Sequence, residues 1–297
     1  MQFVDIKNDI AFRKIFGNEN KKGILISFLN AILHLENDNR IQSIIIANTF
    51  QLPILPNYKA SIIDVKALDF KGNTFIIEMQ VADVIGMDKR LLYYISKEYS
   101  QQLVSGDKYT ELNPVIFIGI FDFNFTTGTD YFSHHAICNV KTQERIIKDM
   151  DFYFIELTKF NKIAAELDNI TDKWIYFIKE AENLEVIPDN VDDEGLIEAY
   201  KYANKNTWTK AELDAYDYAA MREQDGRGRV AKAEQKAKER GLKIGMEKGM
   251  EIGIEKKEIE VVLGMNKIGL PKDKIAEILN IPLERVIQII ENYENGV

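Results

Sequence analysis

Residues 61–81 read SIIDVKALDFKGNTFIIEMQV. Two β-type runs, 61–70 and 74–81, flank Lys71-Gly72-Asn73. A short glycine-containing turn between such runs predicts a β-hairpin. Strand side chains alternate, so Asp64 shares a face with Lys66, and Glu78 with Gln80. With 71–73 as the turn, Asp64 faces Gln80 and Lys66 faces Glu78. All four polar groups then converge on one patch of strands otherwise rich in Ile, Val and Phe. Charges there are costly unless paired or bound to metal. Two neighbouring carboxylates repel, and a divalent cation reverses that sign. Mg²⁺ takes oxygen ligands, usually one or two carboxylates with waters and substrate phosphate. Alternating charges on a hairpin are most often a solvated face, so a cross-strand Lys66–Glu78 ion pair is the other reading.

Outward from the hairpin, residues 9–33 carry apolar side chains at spacings of three and four, which predicts helices. An isoleucine-rich strand is expected over 41–52, ended by Pro53 and Pro56. Residues 83–104 read as a helix with Leu91, Leu92, Ile95, Tyr99 and Leu103 as its inner stripe. PVIFIGIFDF (114–123) is almost wholly apolar and reads as a strand buried on both faces. Further strands are expected near 131–139 and 151–157. The last 140 or so residues read as helical, with helices over 159–182, 194–203 and 210–221, and a long polar one from Arg229. The order predicts an α/β domain over 1–158, a helical region over 159–225, a glycine-repeat helix over 226–257 and a small helical module over 258–297.

Composition narrows the function classes. The 297 residues are 46% apolar and 29% charged, with a net charge of −9. That is a globular composition. The acidic balance argues against a protein that coats nucleic acid with its whole surface, and leaves room for a local basic groove. A lone cysteine, Cys138, excludes an intrachain disulfide and a CxxC metal site. It is expected to be a buried apolar residue. His134 and His135 are adjacent on an expected strand, point to opposite faces and cannot easily chelate one ion. Asp5 and Asp9 stand where a signal peptide needs a basic start, and no apolar run reaches 18 residues, so a cytoplasmic protein without a membrane span is expected.

The pieces also occur in a telling order: Asp9, Phe12, Lys14 and Phe16-Gly17; Ile63-Asp64-Val65; Gly72-Asn73; Ile77-Glu78-Met79-Gln80; Arg90 with Tyr93-Tyr94; Gly106 with Tyr109; Pro114-Val115; Glu156-Leu157 with Lys159-Phe160. This arrangement, over roughly residues 5–160, resembles the recombination-promoting nuclease (Rpn) family of the PD-(D/E)xK nuclease superfamily, also described as transposases. The resemblance implies a restriction-endonuclease-like core, a mixed four-stranded sheet flanked by helices, followed by an all-α C-terminal region. It implies that Asp64 and Glu78 hold Mg²⁺ or another divalent cation, with the Met79 backbone carbonyl as third ligand. Many superfamily members carry lysine where this chain has Gln80. A glutamine can orient water but supplies no charge. Lys66, on the same face, is the candidate for the missing cation, or else the partner of Glu78. Asp9 is either an accessory acid at the metal edge or the N-cap of the first helix. Arg90 and Tyr94, four apart on one helix face, are accessory groups for phosphate or metal.

Beyond this domain, glycine recurs every four residues at Gly241, Gly245, Gly249 and Gly253. Each costs a helix about 1 kcal/mol relative to alanine, so close helix–helix approach is expected, in a dimer or an intramolecular hairpin, unless the stretch is a flexible linker. The last 40 or so residues resemble a helix-turn-helix, yet the second helix has Arg285 as its only Lys or Arg, whereas phosphate contacts need such cations. A packing or interaction module and a DNA reader both fit.

The expected function is a Mg²⁺-dependent DNA endonuclease that promotes recombination or serves a mobile element or defence, and that self-associates through its C-terminal helices. A nuclease-fold protein without catalysis, acting as a nucleic-acid or protein scaffold, is the alternative. A complete transposase is a weaker third reading.

Overall fold

The computed structural model describes residues 1–51 and 61–294. Pro53 and Pro56, with the end of the strand expected over 41–52, lie outside the described residues. The chain divides into two compact units, Met1–Gln224 and the residues from Asp225 on.

The first unit opens with α1 (Asp9–Phe16) and α2 (Lys22–Ile32). Asn8 starts α1: its side-chain oxygen accepts the N–H groups of Ile10 and Ala11, satisfying donors that a helix start leaves without partners. Asp9 is therefore the first helical residue and not the cap. Strands β1 (Ile44–Ile46), β2 (Phe50–Gln51), β3 (Ser61–Ile62), β4 (Val65–Asp69) and β5 (Thr74–Gln80) follow. Then come α3 (Met87–Ser100), β6 (Val115–Phe121), β7 (Phe132–Ala136) and β8 (Met150–Glu156). Helices α4 (Ile170–Glu180) and α5 (Glu194–Ala203) complete the layers. The expected helix over 159–182 is confined to its second part, where Asn169 caps α4 by accepting the Asp172 N–H.

The main sheet has six strands in the order β1-β4-β5-β6-β8-β7, two more than the four expected. Pairs β5–β6 and β6–β8 are parallel; the others are antiparallel. Both faces are covered. Ile77 and Met79 pack into the large core with α1, α2, α4 and α5, whereas Ile76, Phe117 and Phe121 pack with Met87, Leu91, Tyr94 and Ile95 of α3. Strand β6 is buried almost throughout, as its unbroken apolar run requires. On α3 the inner stripe runs through Leu91, Tyr94 and Ile95; Leu92, one residue on and about 100° around the helix, is 55% exposed.

The β4–β5 hairpin differs from its expected register by two residues. Lys66 faces Ile76, and Leu68 faces Thr74. The cause is Asp69. Its carboxylate accepts the N–H groups of Lys71 and Asn73 and the Asn73 side-chain amide. This holds Asp69 against Asn73 and makes 70–72 the turn. Gly72 sits at φ 87°, a left-handed position where a side chain is strained. A shift of two keeps side-chain parity, so Lys66, Glu78 and Gln80 still share a face.

Helix α6 (Lys210–Lys267) carries residues of both units. Among the described residues, a Cβ added at Gly241, Gly245, Gly249 or Gly253 would meet nothing within 4 Å, so none of them makes a close approach at these glycines. In the second unit, α7 (Lys272–Leu279) and α8 (Leu283–Glu294) join the end of α6 around Val262, Ile275, Val286, Ile289 and Ile290. The helix breaks fall near Gly269 and Asn280 as expected; both have positive φ. Arg285 is bound to Glu255 and Glu258 at 2.9 and 3.0 Å. The single arginine of α8 is thus engaged within its own unit, which counts against a DNA-reading helix.

Candidate metal and phosphodiester site

The strand is interrupted between β3 and β4 at Ile63 and Asp64. The interruption turns Asp64 out of the ladder and onto the end of β5. Its N–H donates to Glu78 Oε1 at 3.1 Å, and its Oδ2 accepts the Met79 N–H at 3.0 Å. The Glu78 carboxylate is thereby tied to the Asp64 backbone, and the Asp64 carboxylate to the backbone of Met79, the residue after Glu78. Both are buried, Asp64 8% and Glu78 1% exposed.

Three groups complete the cluster. The Arg13 guanidinium, from α1, donates through Nη2 at 2.7 Å and Nε at 3.2 Å to the same oxygen, Asp64 Oδ1. Gln80 Nε2 donates to Glu78 Oε2 at 3.0 Å. Arg90 Nη2 lies 3.9 Å from that oxygen, while Arg90 Nε donates to the Tyr94 hydroxyl at 2.8 Å. The Arg90 guanidinium also stands over the Tyr94 ring, 5.2 Å from its centre.

Burial, reinforced by the Asp64 charge, pushes the Glu78 carboxyl up to about 8, against the pull of Arg90 and Arg13. Burial likewise raises the Tyr94 hydroxyl, with the Arg90 charge opposing it. A buried pair whose second member resists ionisation is short of positive charge. Its donor set is oxygen only, which suits Mg²⁺ or Mn²⁺. Among the described residues no three His, Cys, Asp or Glu side chains gather as a metal cluster. An ion here would rest on two carboxylates, completed by main chain, water and substrate.

Asp64, Glu78, Met79, Gln80, Arg90 and Tyr94 therefore stand together. Two expected members do not. Lys66 is ion-paired with Glu98 of α3 and faces Ile76, so the placement opposite Glu78 is corrected. Asp9 is exposed at the start of α1, one turn before Arg13, and bears on the site only through its charge near that arginine. Arg13 was missed by sequence reasoning. The available signal was its four-residue spacing from Asp9, which puts the two on one row of α1.

The histidines behave as their alternation predicts. His134 stacks on Tyr153 with rings 4.2 Å apart, and His135 lies against Phe154. Cys138 is exposed, contrary to expectation; it follows the end of edge strand β7. Among the described residues no helix is long and apolar enough to cross a membrane.

Residues 6–233 match the family model for PD-(D/E)XK nuclease family transposases, and the chain belongs to that family. Neither a curated protein nor a solved structure matches it. Nucleases of this superfamily generally act with divalent metal ions.

Proposed function

We propose that this PD-(D/E)XK family member is a Mg²⁺-dependent DNA endonuclease whose metal is held by Asp64 and Glu78 with the Met79 carbonyl. One observation carries the reading: two buried carboxylates held side by side, Glu78 by the Asp64 N–H and Asp64 by the Met79 N–H. When bound, a divalent ion supplies Lewis acidity toward the phosphodiester and acidifies water. The rest falls to the chain. Gln80, fixed on Glu78 Oε2, orients a water through its amide. Arg90, braced by Tyr94, offers a planar fork to a phosphate oxygen. The interruption at Asp64 sets both carboxylates at the end of β5, where a DNA backbone can reach them.

The C-terminal helices are proposed to join copies of the chain. Exposed Leu242, Met246, Met250 and Ile254 each follow one of the four spaced glycines.

Plasmid nicking tests the activity. Wild type nicks supercoiled DNA with Mg²⁺ and not with EDTA. Asp64→Ala leaves the circular-dichroism spectrum intact and loses nicking. Equal nicking by the two proteins would overturn the assignment.

A further inference from the structure

The arginine on Asp64 has a second consequence for how the site is loaded. Asp64 Oδ2 is committed to the Met79 N–H, and Glu78 Oε1 to the Asp64 N–H. The outward oxygens are therefore Asp64 Oδ1 and Glu78 Oε2. Arg13 places two N–H groups on Asp64 Oδ1. Gln80 holds Glu78 Oε2, with Arg90 further off at 3.9 Å. A cation entering between the carboxylates meets Arg13 on the oxygen it needs. The contact is asymmetric: Asp64 is 8% exposed, whereas the Arg13 side chain is 43% exposed. The acid is fixed and the guanidinium is free to leave toward solvent.

We infer that Arg13 is a displaceable counter-charge: it holds Asp64 in the metal-free protein, is expelled when the divalent ion binds, and then serves as a ligand for a DNA phosphate. This rests on the metal site proposed above and goes beyond it. Charge accounts for the exchange. Asp64 cannot serve the arginine and a metal through one oxygen, and a guanidinium set loose beside the site finds its next anion in the DNA backbone. It would bring to the substrate a positive charge that Gln80 lacks, and only after the metal is in place. DNA would then be gripped at the reacting position chiefly by the loaded enzyme.

The test uses the full chain and two readouts other than cleavage. Mn²⁺ affinity is measured by calorimetry, and affinity for a DNA duplex is measured in EDTA and in Ca²⁺. For Arg13→Gln, Mn²⁺ binds at least about threefold tighter, because an ion pair of intermediate exposure no longer competes. Duplex affinity in Ca²⁺ falls and its salt dependence drops by about one phosphate contact, while affinity in EDTA is unchanged. Arg13→Lys, which keeps the charge, lies between wild type and Arg13→Gln in both. Mn²⁺ binding by Arg13→Gln that equals or falls below wild type overturns the inference, as does an equal loss of duplex affinity with and without Ca²⁺. Failure of the underlying site looks different: wild type and Asp64→Asn would then bind Mn²⁺ alike, and both proposals would fall together.

Discussion

Glu78 on β5 and Glu156 on β8 are the same residue type, each 1% exposed, in one sheet. Through β6, Gln80 is in register with Phe121 and Phe121 with Glu156, so the two acids lie near the same end of parallel strands. Their surroundings differ. Glu156 accepts the Phe125 and Thr126 N–H groups, the Thr126 hydroxyl and the Lys159 ammonium at 2.7 Å. Burial pushes its carboxyl up, and those donors outweigh it, leaving Glu156 below the ordinary range. Glu78 has one backbone donor, one amide and a distant arginine, with a second acid beside it, and is pushed up to about 8. A buried carboxylate saturated with donors holds structure; Glu156 ties the loop at 125–126 to β8. One left short of positive charge is poised to take a cation.

The sharpest way to break this comparison is to make the same kind of substitution twice. Glu156→Gln takes the counter-charge from Lys159, which keeps only the Thr126 carbonyl and hydroxyl, and unfolding in urea should show a loss of about 3–5 kcal/mol. Glu78→Gln removes a carboxylate that resists ionisation, so the metal-free protein should keep or gain stability while losing metal binding. Equal losses for the two would erase the distinction.

Acidity offers a second separation. The folded value for Glu78 lies above its ordinary 4.5. Its contribution to stability is fully present below about 4.5 and is lost as pH rises through about 8. Glu156 is depressed, so its contribution is present above the ordinary value and is lost as pH falls through its lower folded value. In EDTA the urea midpoint of wild type should decline from pH 5 to pH 8.5. Glu78→Gln should flatten that decline and leave the acid-side loss intact. A decline of unchanged slope in Glu78→Gln would place its origin elsewhere.

Lys66 supplies a smaller contrast. Its ion pair with Glu98 joins β4 to α3. Lys66→Met should cost about 1–3 kcal/mol through the ion pair lost by a buried acid and leave the metal-saturated nicking rate within about twofold of wild type. A drop in that rate of about 100-fold, the lower bound for a positioned acid–base group, would return Lys66 to the water-activating role expected from the sequence.

How much of this was legible depended on the range of the interaction. Strand parity is local, so the shared face of Lys66, Glu78 and Gln80 could be read from alternation, and the buried character of β6 from its apolar run. Register was not legible, because it turns on which residues close the hairpin. The Asp69 side chain decided that by taking the N–H groups of Lys71 and Asn73. The family pattern named Asp64 and Glu78 but could not supply their partners. Arg13 reaches Asp64 across 51 positions, and Lys66 finds Glu98 on a helix whose facing no strand pattern specifies. The six strands of the main sheet were each legible from their runs, against the four of the resemblance, but the antiparallel place of β7 beside β8 is a long-range pairing. The period-four glycines were plain in the sequence, and among the described residues nothing packs closely against them.

The most direct measurement of the central claim is a calorimetric titration of the full chain with Mn²⁺ at pH 8.5, where Glu78 ionises. Wild type should bind one ion per chain and, at 10 to 100 times the dissociation constant, gain about 1.4 to 2.7 kcal/mol against urea. Asp64→Asn and Glu78→Gln should each abolish both effects while remaining folded. Titration curves for either variant that superimpose on wild type would contradict the assignment of this carboxylate pair as the metal site.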